Sequence, residues 1–376
     1  METIRTRRGL AAVVALLLTM TLALMTLAGC SSNSSKPSGS TATRSVTDMR
    51  GRTVEIPESV DKVVGIGCAL RPICYLGAVD KVVGVEAAEH EDSVSCAYRH
   101  VNNKTFSKLP VIGEGGSKGV TANEEAIVKA APQVVICDSL QADEADALQQ
   151  KTGIPVVCLD QPETVFDQQY YDNLIFLGEV LGKQDRATQV VDYIKNAEAD
   201  LNQRATSSSE NGKVTAYAAG ISYRGGHGFD GTEANFPPFT CCNVTNIADG
   251  HGSDGPFTID LEAVSSAQPG YIFIESGNLN MIADDYKANP AYFDSLSAVK
   301  DGKTYTLISY RFYSTNVELA IANCYQVGAT VYPDTFGDID PTKKLDEISE
   351  FFLGASLSKD LAQQGGVFEQ VDITKL

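Results

Sequence analysis

The chain has 376 residues, with 30 Lys and Arg against 48 Asp and Glu, a net charge of −18. That charge excludes nucleic acid, or an anionic lipid surface, as a partner bound through overall electrostatics, although a local Arg cluster can still hold an anionic ligand. The four His, at 90, 100, 227 and 251, show no paired ligand spacing, so an all-protein zinc or manganese cage has no support in the sequence.

The N-terminus carries Arg5, Arg7 and Arg8, then an apolar run from Leu10 to Leu27, then "LAGC" ending at Cys30. This reads as a secretory signal with a lipobox: residues 1–29 are expected to be removed and Cys30 to be acylated, anchoring the protein to a membrane surface. A single transmembrane anchor is the competing reading, since about 18 apolar residues just span a bilayer. The Ser-rich run that follows, residues 30–45, has the composition of a flexible tether. Removal of residues 1–29 takes three Arg and one Glu with it, which moves the charge to −20. Eight Cys follow Cys30, and an exported protein permits disulfides, in pairings that the sequence does not choose between. Cys137 in "QVVIC" and Cys158 in "IPVVCLD" sit in apolar strand-like runs that suit buried thiols equally well.

Beyond the tether, short β-branched runs alternate with helical patterns: "KVVGIG", "KVVGVE", "QVVICDS" and "IPVVCLD", then "KVTAYAAG", "GYIFIES" and "KTYTLIS". This alternation predicts an α/β fold with mostly parallel sheets flanked by helices. About 330 residues exceed what one core usually organises, which predicts two lobes. "EAIVKAAPQVVIC" from Glu125 and "EAVSSAQPGYIFI" from Glu262 share Glu-Ala, an Ala five residues after the Glu and a Pro seven residues after it. Each reads as a helix that ends near the Pro and feeds a buried strand. Between the repeats, Ala187, Val190, Val191, Ile194, Ala197 and Leu201 follow helical spacing. A helix over 184–206, about 35 Å long, would then bridge lobes at 46–183 and 207–376.

The stretch "ISYRGGHGFDGTEANFPPFTCCN", residues 221–243, is too rich in Gly and Pro for regular structure and reads as a loop. Its Cys241-Cys242 pair lacks the spacing of a zinc knuckle and reads as buried, bridged or merely vicinal.

In order, "TDMRGRTVEIPESVDKVVGIG", "YLGAVDKVVGV", "LPVIGEGGSKGVTANEEAIVKAAPQVVI", "LGEVLGKQDRATQVVDYI", "FTIDLEAVSSAQPGYIFI", "LSAVKDGKTYTL" and "VYPDTFGDI" resemble the class III substrate-binding proteins of ATP-driven importers. That group serves ferric siderophores, haem, vitamin B12 and some metals. The resemblance implies two α/β lobes joined by one long helix, with limited closure on ligand. It also implies a docking Glu on each lobe for the transmembrane permease, which by position are Glu125 and Glu262.

Ligands of open parallel α/β sheets sit outside the carboxyl ends of the strands. In a two-lobed protein that rule selects Arg71 and Lys118 from the first lobe, and Tyr223, Arg224, His227, Arg311 and Tyr313 from the second. Arg224 and Arg311 would present planar donor forks to carboxylate or metal-bound oxygens. Phe229, Phe236 and Phe239 would stack on or enclose an aromatic ligand. The expectation is a monomeric, extracytoplasmic, lipid-anchored receptor that captures an iron chelate, a ferric siderophore, and hands it to a permease with its ATPase. Haem or a corrinoid is the alternative guest, and an oxyanion such as molybdate the third.

No catalytic residue, resident cofactor or protein-held metal is expected. In "GEGGSKG" Lys118 stands where a dinucleotide fingerprint needs its third Gly, and neither a phosphate loop nor a nucleophile elbow is present. A surface enzyme is therefore a remote alternative.

Overall fold

A computed structural model of the chain describes residues 42–116, 121–161, 164–208, 213–252 and 254–376. The signal segment, Cys30 and nearly all of the expected tether lie outside the described residues, as does Lys118. Residues 42–376 form one compact unit.

The first half contains strands β1 (Thr43–Thr47), β2 (Thr53–Pro57) and β3 (Val63–Ile66), helix α1 (Leu70–Tyr75), β4 (Val82–Gly84), α2 (Ala97–Phe106), α3 (Glu124–Ala130), β5 (Val134–Cys137), α4 (Ala142–Thr152), β6 (Val156–Cys158) and α5 (Gln168–Leu181). Helix α6 (Gln184–Ser208) follows, 25 residues long. The second half contains β7 (Thr215–Ala219), β8 (Gly231–Ala234), α7 (Pro237–Thr240), β9 (Thr245–Asn246), β10 (Gly255–Thr258), α8 (Leu261–Ala267), β11 (Tyr271–Glu275), α9 (Leu279–Ala288), α10 (Pro290–Ser295), α11 (Ser297–Lys300), β12 (Thr304–Leu307), α12 (Val317–Val331), α13 (Pro341–Leu353) and α14 (Ser358–Ala362). The tether was expected to run to about Ser45, but β1 begins at Thr43. Its backbone pairs with β2 from Thr43↔Pro57 to Thr47↔Thr53.

Two four-stranded parallel sheets result, ordered β4-β3-β5-β6 and β12-β11-β7-β9. The period of two along each strand divides its residues between two cores. Val134 and Ile136 of β5, with Phe273 of β11, face a cluster that both halves share. Val135 and Cys137 pack instead with Ile127 of α3 and Leu148 of α4. Ile272 and Ile274 pack with Val264 of α8, Ile282 of α9 and Phe293 of α10.

Helix α6 belongs to the shared cluster through the six positions that the sequence spacing selects, all of them buried. Gly178 makes its packing on α5 possible, because a Cβ there would lie 2.5 Å from Cβ of Ala187.

The internal repeat is structural. Asn123 and Asp260 cap α3 and α8 through their side chains, accepting from the backbone N–H of Ala126 and Glu262. Each helix spans seven residues, ends at the Ala shared by both segments and stops on a left-handed residue, Ala131 or Gln268. A Pro and a parallel strand follow in both. Glu125 and Glu262 occupy the same second helical position, and both are exposed. Among the described residues no helix is long and apolar enough to cross a membrane.

Candidate functional site

Loops at the carboxyl ends of the strands enclose a cleft of about 610 Å³ between the two halves. The first half contributes Ala87, Ala88 and Glu91 after β4, Arg99 from α2, and Glu114 to Gly116. The second contributes Arg224 and Gly225 after β7, and Arg311, Phe312 and Tyr313 after β12. Of the residues selected from sequence, Arg224, Arg311 and Tyr313 therefore meet in one cleft.

The three arginines of this cleft differ in what they have left to give. Arg311 is held as a fork by Glu233: its Nε donates to Oε2 at 2.9 Å and its Nη2 to Oε1. Glu233 is itself buried and also accepts from the Tyr310 hydroxyl. Arg99 donates to Glu89, which is fully buried, from Nε at 3.2 Å and Nη2 at 3.4 Å, and its guanidinium lies 5.1 Å from the Tyr313 ring centroid. Both of these charges are therefore matched inside the protein. Arg224 is exposed, with φ at +52°, and among the described residues it is the cleft arginine with no carboxylate partner.

Beneath Tyr313 lies a buried polar layer that joins the halves. Tyr313 and Ser314 take left-handed φ values of +50° and +69°, a conformation that costs free energy for side chains other than Gly. Arg71 restrains this turn by donating from Nη2 to the carbonyls of Phe312 at 3.0 Å and Tyr313 at 2.6 Å. The Tyr313 hydroxyl accepts from the Gly116 N–H at 2.9 Å and donates to Glu86 at 3.3 Å. Glu86 also accepts from Gly67 N–H at 2.9 Å. Burial pushes the Glu86 carboxyl up to about 7, against the lowering effect of the Gly67 bond, with Glu89 and Asp138 adding repulsion. Asp138 rises to about 6, again through burial, while its bond from Cys68 N–H pulls the other way. Gly67, at φ +73°, must be glycine because a Cβ would sit 2.3 Å from Asp138 Oδ1.

Several sequence-selected residues lie elsewhere. Arg71 is only 3% exposed and sits behind the cleft, where with Cys68, Asp138 and Asn173 it lines a separate cavity of about 20 Å³, room for about one water. Tyr223 and His227 stack on each other with ring centroids 3.9 Å apart, and His227 Nε2 lies 3.0 Å from the Tyr223 carbonyl oxygen. Neither lines the cleft.

The stretch at 221–243 was expected to be loop throughout, yet it holds strand β8, paired antiparallel with β10, and Pro237-Pro238 open the one-turn helix α7. Pro fits the first turn because those N–H groups have no helical partner. Phe229, Phe236 and Phe239 do not enclose a ligand: all three are fully buried core residues, and Phe236 meets Phe239 edge-to-face at 4.9 Å. Cys241 and Cys242 are buried free thiols.

Three residues that matter at the site were not selected from sequence. Phe312, 42% exposed, offers the cleft an uncovered aromatic face, and it stands between two residues that were selected. Arg99 carries no local signal, because only its packing brings it to the opening. Glu86 is an ordinary acid after a strand until Gly67 and Tyr313 close over it.

A family model described as periplasmic binding protein matches residues 68–310. The chain belongs to this family. Its members are binding proteins rather than enzymes, in keeping with the non-catalytic reading of the sequence. The ABC transporter substrate-binding lipoprotein YvrC of Bacillus subtilis (strain 168) is 26% identical over 206 residues, which cover 52% of this chain and 60% of that relative. Among solved structures, a periplasmic solute binding protein from Veillonella parvula superposes with a TM-score of 0.66 at 20% identity, covering 86% of this chain and 97% of its own. The molybdate-bound periplasmic binding protein MolA of Haemophilus influenzae gives 0.62 at 18% identity, over 83% of this chain and 98% of its own. At these identities the likeness carries the fold. Among the described residues, no group of three or more His, Cys, Asp or Glu is placed to hold a metal ion.

The buried layer makes a pH-dependent prediction. Glu86 titrates near 7 when folded against an ordinary 4.5, so its ionisation costs stability as pH rises from 4.5 through 7. Glu86→Gln removes that cost. Relative to wild type, the variant should gain on the order of 2 kcal/mol between pH 5 and pH 8, read from denaturant midpoints at the two values. An equal offset at both pH values would contradict the assignment.

Proposed function

We propose that the chain is the extracytoplasmic solute-binding lipoprotein of an ATP-driven importer, anchored through Cys30, that captures a ferric siderophore in the cleft between its lobes. The observation that carries the guest's chemistry is Arg224, a guanidinium with no carboxylate partner among the described residues, at a cleft of about 610 Å³ that also exposes the Phe312 ring. A volume of this size suits a medium-sized organic ligand. With Arg99 and Arg311 already neutralised by Glu89 and Glu233, a highly charged polyanion has little to bind, whereas a compact chelate with one anionic edge for Arg224 and an apolar edge for Phe312 is well matched.

Haem fits less well. It needs an axial Tyr or His, and the Tyr313 hydroxyl is engaged by Gly116 and Glu86 while His227 is stacked against Tyr223. A corrinoid would rest on aromatic faces, of which the cleft offers Phe312 and Tyr313. MolA carries molybdate, but an oxyanion of that size would leave most of this cleft filled with water. The matched, exposed positions of Glu125 and Glu262 on equivalent helices support their assignment as the two contacts to a permease, where each would pair with Arg.

Arg224→Ala tests the ligand reading directly. Charge-assisted contacts of this kind are worth roughly 1.5–3 kcal/mol, so calorimetric affinity for the ferric chelate should fall about tenfold to a hundredfold with the melting temperature unchanged. Unchanged affinity would overturn the pocket assignment. Arg311→Ala is the poorer probe, since leaving Glu233 buried without its partner costs roughly 3–5 kcal/mol of stability. The docking reading predicts a different phenotype: Glu125→Arg combined with Glu262→Arg should abolish uptake by cells and leave ligand affinity intact. Uptake at the wild-type rate would refute it.

A further inference from the structure

We propose that Cys137 and Cys158 form a disulfide that ties the edge strand β6 to β5. The two residues are direct partners in the parallel register, and their Sγ atoms lie 3.4 Å apart. Neighbouring strands run about 4.8 Å apart, inside the Cα separation of roughly 4.4–6.8 Å that a disulfide accepts. Both side chains leave the same face of the sheet, into the same apolar cluster. Among the described residues no third His, Cys, Asp or Glu joins them to make a metal site.

The surroundings distinguish the two sulfurs. Arg52 Nη1 approaches Cys158 Sγ at 3.5 Å while also pairing with Asp48. The Cys137 thiol, acting against burial and helped by Arg52, holds Cys158 below the ordinary thiol range. These neighbours are in place only once β6 has docked on β5, so before docking either thiolate can attack first. The oxidant is a disulfide, either oxidised glutathione or the oxidised dithiol of an oxidoreductase. One thiolate, taken as Cys158, attacks one of its sulfurs, forming a mixed disulfide and releasing one thiol. Cys137, losing its proton, then attacks Cys158 sulfur, forming the intramolecular bond and releasing the second thiol. Two electrons pass from the protein thiols to the oxidant. Both cysteines are fully buried once folded, so exchange takes place while β6 is still undocked.

The bond would staple a three-residue edge strand at its cleft end. Cys158 there receives the Met49 N–H on its carbonyl and gives its own N–H to Asp48, so the hairpin β1–β2 is held by the same point. Persistence in the cell rests on the extracytoplasmic location proposed above; the chemistry of the pair does not, and its test is made in solution.

The full chain is reduced, unfolded and refolded in a glutathione redox buffer, then denatured and alkylated without reductant for peptide mapping. The expected result is one linked peptide pair containing Cys137 and Cys158, lighter than the two reduced peptides by two hydrogens. It should be lost in Cys158→Ser, and reduction of the wild-type bond should lower the thermal midpoint by several degrees. Alkyl groups on both Cys137 and Cys158, or a link that joins Cys241 to Cys242 or Cys324 instead, would overturn the proposal whether or not the chain binds any chelate.

Discussion

A buried guanidinium from one half of the molecule holds two backbone carbonyls from the other, and the cleft takes its shape from that contact. Arg71 gives no charge to a guest. It donates to the carbonyls of Phe312 and Tyr313, and so stabilises two consecutive non-glycine residues in left-handed conformations that the chain would otherwise avoid. That turn exposes the Phe312 ring and lays the Tyr313 hydroxyl across to Gly116 and Glu86. Nearby, Tyr75 of α1 donates to Glu318 of α12 and accepts from the Val317 N–H at 3.3 Å. The halves thus meet through hydrogen-bonded buried polar groups as well as through a shared apolar core.

The same economy governs the charges. An acidic protein that presents three arginines to one cleft matches two of them internally, with Glu89 and Glu233. Glu233 also gives the long connection after β7 a structural role: the ribbon β8–β10 delivers that carboxylate beneath Arg311, and Phe229, Phe236 and Phe239 are buried at its base. Its chemically busy sequence is mostly structural. Arg224 and Gly225, in a glycine-rich turn, are the part of it that lines the cleft.

The fold was legible in the sequence because its signals are local. β-branched runs, paired Pro stops and the apolar spacing of α6 each depend on neighbours within a turn or a strand, and each corresponds to an element found. The long helix runs to Ser208 rather than 206, a difference of one half-turn at an end. The site was legible only in part, since strand-end loops can be picked out by topology while the partner of a side chain cannot. Arg71 and Arg224 look alike in sequence; one is buried against carbonyls from residues 312 and 313, and the other is exposed. The three Phe of 221–243 looked like ligand contacts because Gly and Pro around them suggested an open loop, and a short ribbon with a one-turn helix was enough to bury them. Phe312 and Arg99 became visible only when distant segments met.

The central proposal is that this cleft captures a ferric siderophore as a unit, iron and ligand together. With no Trp in the chain, a thermal-shift titration of residues 42–376 is the direct measurement, made with ferric siderophores, their iron-free forms, haem, cobalamin and molybdate side by side. Ligand at about 100 times its dissociation constant should add roughly 2.7 kcal/mol of stability, a shift of several degrees for a protein of this size. The account predicts that shift with a ferric chelate and its absence with the same molecule free of iron. A response to haem, cobalamin or molybdate alone would contradict it while leaving the binding fold intact.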